Sequence, residues 1–289
     1  MIAVTGSNLH LTIPMTLRKA GIKSALLCTE SPYMTRARER YDAMPYDHVF
    51  TNERAALSLF DQTPPERVHY LAHAFNPAVH HPGPIEPLRV CDVFFCGTGF
   101  EERKALLGGV DWTDIHLVRR GPLWLGGETA VEVMTATVQN DDLPRSYRAA
   151  RISLNHHRTT GDWHAGAQLS DPAESLGPRA YEIPACGGFM LSDERVELNE
   201  VFQGSVPTYR QGDGADLEKQ IRHYLARPDE RTRLAAAQHA AVQGHTWTAR
   251  ARQMACSSCC FASAASGRCR SQRVWTSRKM LIPARLAVV

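Results

Sequence analysis

Short apolar runs recur along the first seventy residues, each closing in a polar or glycine turn. IAVTG at 2–6, the stretch Ser24–Cys28, HVF at 48–50 and Val68–Leu71 read as four short strands. Between the first two, a periodic apolar stretch led by Asn8 or His10 and running through Leu17 predicts a helix. Thr51-Asn52-Glu53-Arg54 has the form of a capping box, in which the Glu53 carboxylate reaches back to the Thr51 cap. Strands that alternate with helices at this pace imply parallel pairing with helical crossovers.

Prolines at 77, 82, 84 and 87 then stiffen a linker, and a second set of alternations begins. Strands are expected over 89–96, 115–118, 152–154, 189–191 and 208–209. Helices are expected over 101–107, 144–150, 181–186, 216–226 and 229–242, the last amphipathic and so packed. The fold class predicted is α/β with two Rossmann-like domains. The boundaries expected are 1–80 for the first domain, 81–88 for the linker, 89–250 for the second domain and 251–289 for a tail. Four strands fall short of the roughly six of a complete Rossmann-type half, so the N-terminal domain is expected to be incomplete. Past Met254 the periodicity fades and basic residues lack acidic neighbours, which predicts a disordered or frameshifted tail.

Charge adds little: 33 Lys and Arg against 30 Asp and Glu leave a net +3 in 289 residues, which argues against nucleic acid as a partner. No apolar run reaches membrane-spanning length and no signal-peptide layout opens the chain, so a cytoplasmic protein is expected. Cys28, Cys91, Cys96 and Cys186 lie in apolar surroundings and read as buried thiols. The Cys256–Cys259 spacing finds no second half-site, Asp141-Asp142 reads as a helix cap, and neither a metal nor another cofactor is expected.

Candidate chemistry gathers at predicted strand ends. Gly97-Thr98-Gly99 follows the buried strand CDVFFC and lets a phosphate or sugar approach the backbone, with Arg103 one helical turn beyond. Asn155-His156-His157-Arg158 follows ISL; Asn155 and Arg158 are the donor-side pair, His157 a further candidate, and the adjacent histidines are expected to point to opposite sides. ESLGPRAYEIPACGG at 174–188 describes a loop feeding a short helix, whose free N–H groups would attract anions and whose end at Gly187-Gly188 would be left-handed. Arg179 precedes Glu182 by three residues, on its face, and could hold that carboxylate or meet a departing diphosphate. Glu30, after the second strand, is placed to orient or deprotonate an acceptor hydroxyl, whereas His73 reads as a satisfied interdomain histidine.

The segment 174–188 resembles the E-x7-E segment of retaining glycosyltransferases of the two-domain GT-B architecture. RAYEIPACGGFMLSD at 179–193 is similar, more closely, to the CgeB-like spore-maturation glycosyltransferases. The resemblance runs from about Ser24 to Arg250, through CTESPY, YDHVFTNERAA, HYLAHAFNP, CDVFFCGTGFEERKALL, YRAARISLNHHR and HTWTARAR. It implies that Glu182 holds a nucleotide ribose, that the loop bearing Glu174 faces the donor sugar, and that Gly187 belongs to the donor-binding segment. The chain departs from the pattern where Ser175-Leu176-Gly177 replaces Gly-Phe-Gly.

The resulting expectation is metal-independent, retaining transfer from a nucleoside diphosphate sugar to a glycan, protein or small molecule. The alternatives are a degenerate protein that keeps the pocket without turnover, and a sugar-nucleotide epimerase.

Overall fold

The computed structural model describes residues 1–5, 9–29, 43–124, 131–134, 139–158 and 173–264, with side chains omitted at 131–134 and 257–264. Two parallel sheets organise residues 1–252. The first contains β1 (Ile2–Val4), β2 (Ala25–Cys28), β3 (His48–Thr51) and β4 (Val68–Tyr70), paired in sequence order. Helix α1 (Thr12–Lys19) lies between β1 and β2 in the chain. Leu26, Cys28, Tyr46, Val49 and Phe60 form the core of this half.

The second sheet contains β5 (Cys91–Cys96), β6 (Leu117–Arg120), β7 (Val131–Met134), β8 (Ala150–Asn155), β9 (Met190–Asp193) and β10 (Thr208–Tyr209). Their spatial order is β10-β9-β8-β5-β6-β7, every pairing parallel. This doubly wound arrangement explains the continuous apolar run of β5. Successive side chains point to opposite faces, so Phe94 enters one hydrophobic cluster while Val93 and Phe95 enter the other. Met190 and Leu191 of β9 divide between the clusters in the same way.

Helices α2 (Glu101–Gly108), α3 (Leu143–Ala149), α4 (Arg179–Ala185), α5 (Val196–Phe202), α6 (Gly214–Leu225) and α7 (Pro228–Val242) provide the crossovers and the flanking layers. Along α7, Leu234, Gln238 and Val242 are buried at four-residue steps, a narrow packed stripe. Gln238 is tolerated in that stripe because its amide pairs with backbone groups of two other segments: Oε1 accepts from Met190 N at 2.8 Å, and Nε2 donates to Met190 O at 3.1 Å and Ser205 O at 3.0 Å.

Several expectations are corrected. Thr51 ends β3 and opens no helix; only a three-residue 3-10 turn, Leu57–Leu59, follows. The Glu53 carboxylate accepts from Ala55 N at 3.0 Å and from two backbone N–H groups more than a hundred residues away, and so does not close a local capping box. Asp142 makes no side-chain cap and instead accepts Arg89 Nη2 at 2.8 Å and Arg120 Nη1 at 2.7 Å. Strand β7 and helix α5 are additions to the expected elements, four and seven residues long. The unit Gln253–Val289 carries the continuation of α8 (Trp247–Ala264), so the helix extends ten residues past Met254 where loss of structure was expected. The rest of the predicted tail lies outside the described residues. Cys28, Cys91, Cys96 and Cys186 are buried, as their surroundings imply.

Candidate functional site

The carboxyl ends of β5, β6, β8 and β9 form one rim of the second sheet, the edge where open α/β sheets bind ligands. The turn Gly97-Thr98-Gly99 presses against the chain that leaves β6. Gly97 N donates to Arg120 O at 2.9 Å, Gly99 N to Pro122 O at 2.9 Å, and Trp124 Nε1 to Gly97 O at 2.8 Å. A Cβ on Gly99 would stand 2.8 Å from Leu123 O, and one on Gly121, at φ +132°, would strike the Gly97 carbonyl. Close approach of two loops therefore requires Gly99 and Gly121, and the N–H groups of Gly97 and Gly99 are spent on protein carbonyls.

Arg103 is buried between the rings of Phe95 and Phe100. Its Nη1 donates to Thr98 O at 3.1 Å and its Nη2 to His156 O at 2.9 Å, fastening the two strand-end loops together. Burial, with Arg179 and Arg158 nearby, lowers its pKa to about 10, which still leaves the guanidinium charged at neutral pH. It is neither an exposed helix residue nor a side chain extended toward solvent. Arg158 lies 4.9 Å over the same Phe100 ring, and its carbonyl accepts Arg195 Nη2 at 3.0 Å.

Asn155 and His157 are brought to this rim and tied down there. Asn155 Nδ2 donates to Ser192 Oγ at 3.0 Å. His157 gives both its backbone N–H, at 3.0 Å, and its Nδ1, at 2.7 Å, to Asp193 Oδ1. The two adjacent histidines do not diverge: His156 Nδ1 stands 4.0 Å from the other oxygen of the same carboxylate and 2.9 Å from Tyr209 Oη. Because β8 ends at Asn155, the strand alternation that would separate them has stopped. Burial acts to raise the Asp193 pKa, but the His157 pair, His156 and Arg195 hold it well below the usual carboxylate range. Burial lowers His156 to about 4, keeping its ring neutral. Sequence reasoning missed Asp193. Its signal was a Ser-Asp pair ending the buried strand FMLSD, beside the predicted NHHR loop.

Helix α4 begins at Arg179 behind Pro178 and ends before Gly187, at φ +80°. The N–H groups of Ala180, Tyr181 and Glu182 donate to Gly177 O and Pro178 O at 3.0–3.1 Å, so these three are not free for an anion as expected. Glu182 is largely buried; burial raises its pKa, and Arg179 offsets this in part. His80 Nε2 lies 3.9 Å from Glu182 Oε1, and burial lowers that imidazole to about 4. Around this carboxylate, Arg179 Nε, Tyr147 Oη and both ring nitrogens of His80 are buried without a hydrogen-bond partner among the described residues. Buried polar atoms in that state are rare in folded proteins and mark a place where a hydroxyl-rich ligand or water completes the set.

Glu174 is held by its backbone. Its N–H donates to Glu53 Oε1 at 3.0 Å, and its carbonyl accepts Glu197 N at 3.2 Å. Ser175 N also donates to Glu53, Ser175 Oγ accepts Arg54 N at 3.0 Å, and Leu176 N donates to Glu197 Oε2 at 2.7 Å. Tyr70 Oη donates to the other Glu197 oxygen, while Arg54 pairs with Glu200 at 2.7 Å. The loop before α4 is thus gripped by side chains from the first sheet's half and from α5.

Gly187 is not brought to this rim: it precedes β9, at the opposite end of the strands, against Pro82. Glu30 lies outside the described residues. His73 caps the first half with its carbonyl on Arg250 Nη2 at 3.1 Å, and burial, Arg250 and His157 lower its ring to about 4.

Comparison with known proteins gives these contacts a frame. Residues 97–255, more than half of the chain, match a family model described as glycosyl transferase-like. None of the curated proteins matches the chain. Among solved structures, sucrose-phosphate synthase from Thermosynechococcus elongatus superposes with a TM-score of 0.61 at 14% identity, over 88% of this chain and 72% of that one. HepE of Anabaena, solved in complex with UDP, superposes with a TM-score of 0.64 at 14% identity, over 86% of this chain and 76% of that one. A UDP-forming trehalose-phosphate synthase from Burkholderia xenovorans gives 0.59 at 12% identity, over 86% and 71%. At such identities the likeness is one of fold. Together with the family match and the two parallel Rossmann-like sheets, it shows that the chain belongs to the glycosyl transferase-like family of GT-B architecture.

Proposed function

We propose that this chain transfers a sugar from a nucleoside diphosphate sugar bound on residues 89–250 to an acceptor hydroxyl, without a metal, as a CgeB-like enzyme. The observation that carries this reading is the set of buried, unpaired polar atoms of Arg179, Tyr147 and His80 around Glu182. A ribose presents the hydroxyls that such a carboxylate and its neighbours would bond. Arg103, Arg158 and Arg179 are close enough to act on one another electrostatically, so the rim is electropositive where a diphosphate would lie. HepE has been solved with UDP and with UDP-glucose, which supports a nucleotide-sugar donor for this chain also.

In the reaction, the bond between the anomeric carbon and the β-phosphate oxygen breaks, and the acceptor oxygen forms its bond on the same face. The acceptor proton passes to the departing diphosphate. Arg158 and Arg179 would stabilise charge as it develops on that leaving group, an effect worth several kcal/mol in an enclosed site. Arg103 would act at one remove, by holding the Thr98 and His156 loops. Asp193 would orient His157.

A thermal-shift panel of UDP, GDP, ADP, CDP and dTDP tests the donor assignment. A cognate diphosphate at a hundred times its Kd adds about 2.7 kcal/mol, or roughly 4–5 °C for a chain of this size. No shift with any of the five refutes it. Labelled donor with the matching base should then be hydrolysed slowly, and NMR of the first-formed anomer reads retention or inversion.

A further inference from the structure

At the end of the second sheet remote from the rim, an open cavity of about 390 Å³ lies between the start of β8, the turn after α4 and the first half of α7. Five steps of β8 at about 3.3 Å separate Ala150, on its wall, from Asn155 at the rim, or about 16 Å. Arg148, Arg151, Arg231 and His239 line it, and none of its lining residues is acidic. Phe189 and Ala235 add an apolar wall.

The arginines are held in place by bonds that leave donor capacity over. Arg148 Nη1 donates to His81 O at 3.0 Å, while its Nε is buried without a partner. Arg231 Nη1 donates to Leu225 O at 2.9 Å, and Arg151 Nη1 pairs with Asp92 at 2.6 Å from outside the wall. His239 Nδ1 bonds Pro184 O at 2.8 Å and its Nε2 meets Gln243 Nε2 at 3.1 Å, so this ring lines the wall with both nitrogens engaged. Burial, and then Arg151, depress the Arg231 pKa, and Asp92 offsets this in part. Arg231 also lies in the first turn of the fifteen-residue α7, whose N-terminal dipole favours negative charge.

We propose that this cavity is a second ligand site, distinct from the donor rim, which takes a phosphate monoester carried on a small sugar or polyol body. Guanidinium forks match phosphate oxygens in geometry as well as charge. The volume exceeds what a bare anion fills and lies within the range of small-molecule sites. The apolar wall suits the carbon face of a sugar ring.

Calorimetric titration of the full chain with glucose 6-phosphate, inorganic phosphate and glucose, with and without excess UDP, tests this. Glucose 6-phosphate is expected to bind one per chain whether or not UDP is present, inorganic phosphate at least tenfold more weakly, and glucose not at all. Ala236→Glu places a carboxylate on the wall from an exposed position of α7, where glutamate is a good helix former. It should weaken glucose 6-phosphate at least tenfold with the melting temperature unchanged, and Arg151→Gln should weaken it in the same direction. Absence of binding by either phosphate, or equal binding by Ala236→Glu, overturns the site. Inorganic phosphate as tight as the sugar phosphate overturns the sugar body, and displacement by UDP in wild type and variant alike assigns the binding to the rim instead.

Discussion

Replacing Glu53 with alanine tests how the loop that carries Glu174 is held. Its carboxylate accepts Ala55 N at 3.0 Å, Glu174 N at 3.0 Å and Ser175 N at 3.2 Å, and the side chain is 3% exposed. Removing it orphans three donors; at about 1–3 kcal/mol for each buried group left without a partner, the loss is roughly 3–9 kcal/mol. That is a large part of the 5–15 kcal/mol that typically stabilises a folded protein. A local capping box would contribute only about 1 kcal/mol. Glu53→Gln can keep an oxygen in the Oε1 position, which serves all three donors, and is expected to cost about 1–2 kcal/mol. Urea unfolding followed by circular dichroism measures both variants, with the slope against denaturant checking that the transition is still the same one. A loss below about 1 kcal/mol for Glu53→Ala with an unchanged slope refutes the long-range role.

Three further outcomes follow from the same contacts. His80 and His156, lowered to about 4 from an ordinary value of 6.5, bind protons more readily when unfolded. Stability is therefore full above about pH 6.5 and falls as pH drops toward 4, by up to about 3 kcal/mol per histidine, which urea midpoints across that window will read. Asp193→Asn replaces the buried carboxylate oxygen that accepts both the backbone N–H and Nδ1 of His157 and should cost about 1–3 kcal/mol, measured by thermal unfolding. Gly121→Ala meets both a positive φ and the Gly97 carbonyl, so a loss of several kcal/mol or failure to fold is expected, scored by soluble yield and circular dichroism.

Much of the fold was legible because it rests on local pattern. CDVFFC is apolar on both faces and became a central strand, and Gly187 stopped α4 in the left-handed conformation its type allows. Val131–Met134 and Val196–Phe202 were not legible, since four and seven residues are too few for a sequence period to stand out. At the site, Asn155, His157 and Arg158 could be placed at a strand end, but their partners could not. Asp193 lies 36 residues beyond His157, and Glu53 lies 121 residues before Glu174. Contacts at that separation are set by sheet order, which no local spacing encodes. Glu53 shows the hazard most plainly: its neighbours spell a cap, and its carboxylate serves another segment. Gly187 belonged to the right segment, yet the helix carries it to the opposite end of the strands.

The central claim is that Glu182 and its unpaired neighbours seat the nucleotide of the donor. Isothermal titration calorimetry with the diphosphate that gives the largest thermal shift tests it directly, on wild type, Glu182→Ala and Arg179→Ala. A lost hydrogen bond to a charged group costs about 1.5–3 kcal/mol, so each variant, shown to be folded by circular dichroism at the titration temperature, should bind about ten- to a hundredfold more weakly. Unchanged affinity in Glu182→Ala would contradict the account.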